Sequence, residues 1–266
     1  MTTPDNARQL AAASYRLAAL DQDFMLADSQ RGLRFMLEYE KAEQAMRERG
    51  VRSTIVVFGS ARVRRADQPP AEAGLSARQR ERQDHWYQQA RLFAAIASQR
   101  GGAMRHAAEG RDNVIMTGGG PGIMEAANRG ASEVGAVSIG LNITLPHEQM
   151  PNPWSTPDLT FRFHYFAMRK MHFALRAAAL VAFPGGFGTF DELFEVLTLC
   201  QTRKMPRVPV VLVDAAYWRR VIDFDALVEA RMIDAQDVKL LSFADDAEEA
   251  WRLLVEQGLP IPREAD

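Results

Sequence analysis

Apolar and polar positions change period repeatedly along this chain. From residue 7 to about residue 50, Leu33, Met36, Leu37 and Tyr39 recur at helical spacing among charged residues, and the run closes on Arg-Gly. This pattern predicts an amphipathic helical extension, residues 1–50, outside any sheet. Thr54–Phe58, TIVVF, is a short β-branched run ending in Gly59-Ser60, as expected of a buried first strand feeding a loop. Residues 62–82 interrupt the pattern, with Pro69-Pro70 at their centre, and predict a loop approaching a helix. Apolar runs at 113–117, 137–141, 159–163, 178–183 and 208–213 then predict strands. Helical patterns at 84–100, 122–134, 164–177, 189–202 and 216–229 fall between or after them, and the tail, 245–266, predicts one more helix and a Pro-rich end.

Alternating strands and helices imply a parallel sheet covered on both faces and joined by right-handed crossovers. The expected fold is therefore an α/β, Rossmann-like, doubly wound domain over residues 51–266. A chain of 266 residues with 47% apolar residues can bury such a core. The longest apolar stretches fall short of the roughly 18–20 residues of a membrane span, and the first residues carry charge where a signal peptide needs a hydrophobic stretch. The expectation is a cytoplasmic protein with no membrane contact. Cys200, the only cysteine, lies within the apolar pattern of Leu193, Phe194, Val196, Leu197 and Leu199, so burial is favoured over reactivity and no intrachain disulfide can form. A net charge of −2 exerts no global pull on a polyanion. The six arginines within 62–82 are not interleaved with aromatics and read as a solvated loop face rather than a nucleic-acid contact.

Any anion must then be held locally, and two glycine turns have the means. In GGGPGIM, a strand runs into Gly118, Gly119 and Gly120, and a helix opens after Gly122, just before Met124. Glycines let a backbone approach a ligand closely, and a helix start presents unpaired N–H groups and the positive end of a dipole, so a phosphate fits there. The run is neither GxGxxG nor GxxxxGK[ST], so neither a dinucleotide nor a nucleoside triphosphate is the default ligand. PGGFGTFDE repeats the design with Gly185, Gly186 and Gly188. Thr189 can hold a phosphate or cap the following helix, and Glu192 completes a T-x-x-E capping box as readily as it offers a carboxylate. Two such turns at strand ends of a doubly wound sheet would share one edge and form a pocket. In FRFHYFAMRKMHFAL, Arg169 and Lys170 interrupt an apolar, aromatic helix, which leaves open a structural ion pair or a cation facing an anionic ligand. No His, Cys or carboxylate spacing makes a metal site, and no cofactor is expected. A Schiff-base chemistry would need a lysine at the site, yet none of Lys41, Lys170, Lys204 and Lys239 lies in a glycine turn.

Together these residues resemble the LOG (LONELY GUY) family, nucleoside 5′-monophosphate phosphoribohydrolases once labelled lysine decarboxylases, and in particular its longer bacterial type. The PGGxGTxxE signature matches at Pro184, Gly185, Gly186, Gly188, Thr189 and Glu192, the Arg-Lys pair at Arg169 and Lys170, the GGGxxGxM turn at 118–124, and the Gly-Ser step at Gly59 and Ser60. The LPHEQ segment resembles the family loop that supplies a further substrate-binding glutamate, here Glu148. The resemblance implies hydrolysis of a nucleoside 5′-monophosphate, AMP or an N6-substituted cytokinin riboside monophosphate, to free base and ribose 5-phosphate. It also implies a homodimer or higher homo-oligomer. Glu192 would be the catalytic carboxylate, Arg169 would orient substrate, and the amides of both turns with Thr189 would hold the phosphate. A non-catalytic nucleotide or molybdenum-cofactor carrier, built on similar turns, is the alternative reading.

Overall fold

β-Branched and small apolar residues that are buried on both sides form the strands of a parallel sheet. A computed structural model describes residues 5–69, 74–145 and 150–262. In chain order the elements are α1 Ala7–Ala11, α2 Gln22–Leu26, α3 Arg31–Glu48, β1 Thr54–Phe58, α4 Ala77–Gly101, β2 Val114–Thr117, α5 Ile123–Glu133, β3 Ser138–Ile143, β4 Thr160–Phe163, α6 Phe166–Leu175, β5 Ala177–Ala182, α7 Phe187–Gln201, β6 Val210–Val213, α8 Ala215–Val221, α9 Phe224–Glu229, α10 Ala235–Val238, β7 Leu241–Ala244 and α11 Ala247–Glu256. Contacts divide the chain into two compact units, Met1–Lys41 and Ala42–Asp266.

The predicted helical run from residue 7 is broken in the first unit. Extended backbone at Ala12, Arg16 and Ala27 separates α1, α2 and short 3₁₀ turns before α3 begins. None of residues 5–41 is buried, so within this unit no packed apolar face holds a continuous helix together.

In the second unit, seven parallel strands run β4-β3-β2-β1-β5-β6-β7, the doubly wound fold expected from the alternation. α4, α5 and α11 pack together on one face, while α6 and α7 meet the sheet on the other, at β3, β4 and β1. Winding proceeds outward from β1 to β4, then returns to the far side of β1 for β5, β6 and β7. The reversal therefore lies between β1 and β5, where α/β sheets open a crevice at their carboxyl ends.

Three departures from the predicted elements have local causes. α4 begins at Ala77, seven residues earlier than the apolar pattern shows, because Ser76 and Gln79 close a capping box on a largely polar first turn. The predicted helix at 216–229 is two helices, since Asp223 leaves the helix and caps the next by accepting from the Ala226 N–H. β7 was not expected: it is a four-residue edge strand paired only with β6, and its central residues are half buried. No described helix is long and apolar enough to cross a membrane.

Candidate functional site

The loops after β1 and β5 are tied to one another and to the start of α5. The Ser60 N–H donates to the Pro184 carbonyl, and the Ile123 N–H donates to the Ser60 carbonyl, both at 3.1 Å. Gly122 permits this junction: its φ is +72°, and a side chain there would run into the Ser60 carbonyl. Where the three segments meet, a cleft of about 690 Å³ opens at the winding reversal. The β1 loop contributes Gly59, Ser60 and Arg62, α5 contributes Met124, and the second glycine turn contributes Gly185 and Gly186. α7 adds Gly188, Thr189 and Glu192, α6 adds Phe166 and Arg169, and α8 adds Tyr217.

α7 starts at Phe187 with Gly186 as its N-cap, which overturns the capping-box reading of Thr189 and Glu192. Thr189 is the buried third residue of the helix, and Glu192 falls in the second turn, beyond reach of the cap position. The ladder begins with the Phe190 N–H donating to the Gly186 carbonyl at 3.0 Å, so the amides of Phe187, Gly188 and Thr189 precede any intrahelical acceptor. They stand at the rim of the cleft, beside exposed Gly186 and Gly188.

Glu192 is freed for other work by this register. Its Oε1 accepts from Arg169 Nη2 at 3.0 Å, with side chains only 13% and 11% exposed. Burial pushes the Glu192 carboxyl up to about 7; the Arg169 charge opposes the rise and Asp191 adds to it. Burial likewise lowers the Arg169 guanidinium from its ordinary range, while Glu192 and Asp191 oppose the fall. The guanidinium lies 5.3 Å from the Phe173 ring centroid and 6.0 Å from that of Phe166, and its Nε has no hydrogen-bond partner among the described residues. Gly118 makes room for it: a Cβ there would lie 2.8 Å from Arg169 Nη2 and 2.7 Å from Met124 Sδ. Lys170, adjacent on α6, points its ammonium at Asp191 (2.8 Å) and Glu195 (3.3 Å) on α7 and is not a lining residue of the cleft.

The first glycine turn lies behind the cleft. Gly118, Gly119 and Gly120 are buried, and neither they nor Gly122 line the cavity. The Gly119 N–H donates to Thr117 Oγ1 at 3.0 Å, and the Gly119 and Gly120 carbonyls accept from the Asn152 N–H and Nδ2 at 2.9 and 3.1 Å. Asn152 Nδ2 also donates to Asn128 Oδ1, which accepts from Thr117 Oγ1. Sequence reasoning did not single out Asn128 or Asn152; their role depends on a tertiary approach that no local spacing announces. It also left Arg62 in a solvated loop and did not single out Tyr217, whose hydroxyl donates to the Gly185 carbonyl. Glu148 lies outside the described residues. Among the described residues no group of three His, Cys, Asp or Glu side chains could hold a metal ion.

Fold and cleft define a Rossmann-like protein with a buried Arg–Glu pair beside a helix N-terminus at the winding reversal. Residues 124–254 match the family described as "Possible lysine decarboxylase". The chain is 30% identical over 148 residues to a probable cytokinin riboside 5′-monophosphate phosphoribohydrolase, LOG4 of Oryza sativa subsp. japonica, covering 54% of this chain and 63% of that protein. It is 28% identical over 152 residues to LOG7 of Arabidopsis thaliana, a cytokinin riboside 5′-monophosphate phosphoribohydrolase, covering 56% and 68%. The chain thus spans less than two thirds of the length of the first of these relatives. The LOG-family resemblance read from the motifs is shown by these matches, at modest identity. A molybdenum cofactor binding protein from Rippkaea orientalis aligns over 77% of this chain and 97% of its own at 18% identity, with a TM-score of 0.47.

Proposed function

We propose that the protein hydrolyses the N-glycosidic bond of a nucleoside 5′-monophosphate to free base and ribose 5-phosphate. The observation that carries this reading is Glu192: a carboxyl raised to about 7 by burial, at the wall of an open cleft and one helical turn from amides suited to a phosphate. With the 5′-phosphate on the Phe187–Thr189 amides, the sugar reaches Glu192. Departure of the base with the electron pair of its C1′–N bond leaves an oxocarbenium-like ribose, which the ionised carboxylate stabilises. A water oxygen then bonds to C1′ and gives a proton to Glu192, and the base takes up one proton on release. Arg169 holds the carboxylate in place and presents its remaining donors to the substrate. The names of the plant relatives support the reaction class, with AMP and N6-substituted adenosine monophosphates as the first substrates to try.

The direct test is incubation with AMP, CMP and N6-isopentenyladenosine monophosphate, followed by chromatography for free base. Release of adenine or its N6-substituted form, with equimolar ribose 5-phosphate, is the expected outcome. No base from any nucleotide would leave the protein a binder or carrier instead.

A further inference from the structure

Four aromatic side chains line the cleft, and three of them have other partners or the wrong position for a base. Phe190 packs its ring on Trp218 at 5.7 Å. Tyr217 ties its hydroxyl to the Gly185 carbonyl and its ring edge-on to Trp86 and Trp218. Phe187 is the first residue of α7, at the amides assigned to the phosphate. Phe166 differs: it opens α6 one turn ahead of Arg169, is 52% exposed, and carries the Arg169 guanidinium 6.0 Å from its ring centroid. Through that guanidinium it neighbours Glu192.

From this placement we infer that Phe166 is the platform on which the base of the nucleotide stacks. The inference rests on the proposed reaction. Base and 5′-phosphate hang from opposite ends of a ribose, C1′ and C5′. If the phosphate occupies the first turn of α7 and C1′ faces Glu192, the base extends past Glu192 toward the first turn of α6. Phe166 lines the cleft there and is half exposed, and a half-exposed phenyl ring in a cleft gains by being covered with a second π-surface. Stacking needs no particular edge pattern. The Arg169 guanidinium lies over the same ring, 6.0 Å from its centroid, and adds a cation to the platform.

The test is equilibrium binding in a Glu192→Gln background, where the nucleotide persists, with and without Phe166→Ala. AMP and ribose 5-phosphate are the two probes, the second being the first without its base. Removing the ring is expected to weaken AMP roughly tenfold, the scale of one base–aromatic stack, and to leave ribose 5-phosphate within about twofold. Phe166→Trp should restore AMP binding. Unchanged AMP affinity overturns the inference, and so does equal weakening of both probes, which would make Phe166 a general support of the cleft. Because binding is measured without turnover, failure of the wild-type protein to release any base would count against the proposed reaction separately.

Discussion

Under the proposed reaction, Glu192 takes two roles that conflict energetically. Its carboxyl binds a proton far more tightly in the folded chain, at about 7, than at the ordinary 4.5 of an unfolded one. A raised carboxylate pKa means that stability is fully present below 4.5 and falls as pH climbs to about 7, above which the ionised group costs the fold on the order of 3 kcal/mol. The ionised form is also the one able to accept a proton from water, so kcat/KM for base release should rise with pH through about 7. Glu192→Gln mimics the protonated carboxyl and keeps an acceptor for Arg169. Base release should therefore vanish in this variant, while its melting temperature at pH 8 exceeds that of the wild type by several degrees and the two converge near pH 5. A melting temperature at pH 8 below the wild-type value would show that the ionised Glu192 is a net structural asset paired with Arg169, and retained turnover would move the chemistry to another group.

The pair belongs to a ladder between two helices. Consecutive residues Arg169 and Lys170 of α6 meet consecutive residues Glu192 and Asp191 of α7, one rung buried and the other exposed. Lys170 also reaches Glu195, and its charge lowers the proton affinity of Glu192 while Asp191 and Glu195 raise it. Lys170→Met should thus move the acidic limb of the kcat/KM profile to higher pH with little change in nucleotide KM, and Lys170→Arg should restore the limb. A raised KM with an unmoved limb would instead make Lys170 a substrate contact. The first glycine turn depends on a different device, the buried Thr117–Asn128–Asn152 network. Asn152→Ala strands the Gly120 carbonyl and the Trp154 and Ser155 N–H groups, which Asn152 Oδ1 receives. Such losses should destabilise the fold by roughly 2–4 kcal/mol in denaturant titration. Elements of this kind divide by how local their cause is. Thr54–Phe58 is readable as a strand because all five residues are apolar or β-branched and all are buried, and the glycine turns are readable where a side chain would collide with its surroundings, at Gly118, Gly119, Gly122 and Gly185. The start of α7 was misplaced because a T-x-x-E box outweighed Gly186, although Thr189 is held inside the helix against Gly185. β7 shows no pattern of its own, since its partner β6 supplies the reason for its extended form.

On the scale of the whole chain, every described residue of the proposed machinery lies in the unit Ala42–Asp266. The cleft depends on the winding reversal between β1 and β5, which needs only the strands and crossovers of that unit. Before Ala42, by contrast, no described residue is buried, and Leu10, Tyr15, Leu17, Leu20 and Leu26 are more than half exposed. Residues that bury no apolar surface add little to the free energy of folding. Within α3, burial starts at Ala42, Glu43 and Met46, where Glu43 receives both Nη groups of Arg176 at 2.6 Å and so fastens the end of that helix to the residue preceding β5. A chain beginning at Arg31 keeps α3 whole together with this ion pair and removes only α1, α2 and the turns around them. It should melt within about 2 °C of the full chain and release base from AMP with unchanged kcat and KM. Truncation past Glu43 should behave differently, because Arg176 is then left buried without its carboxylate, a loss of several kcal/mol. A shorter chain starting at Gln44 is therefore expected to unfold many degrees earlier, and equal melting of the two truncations would remove Glu43 from any part in holding the second unit together.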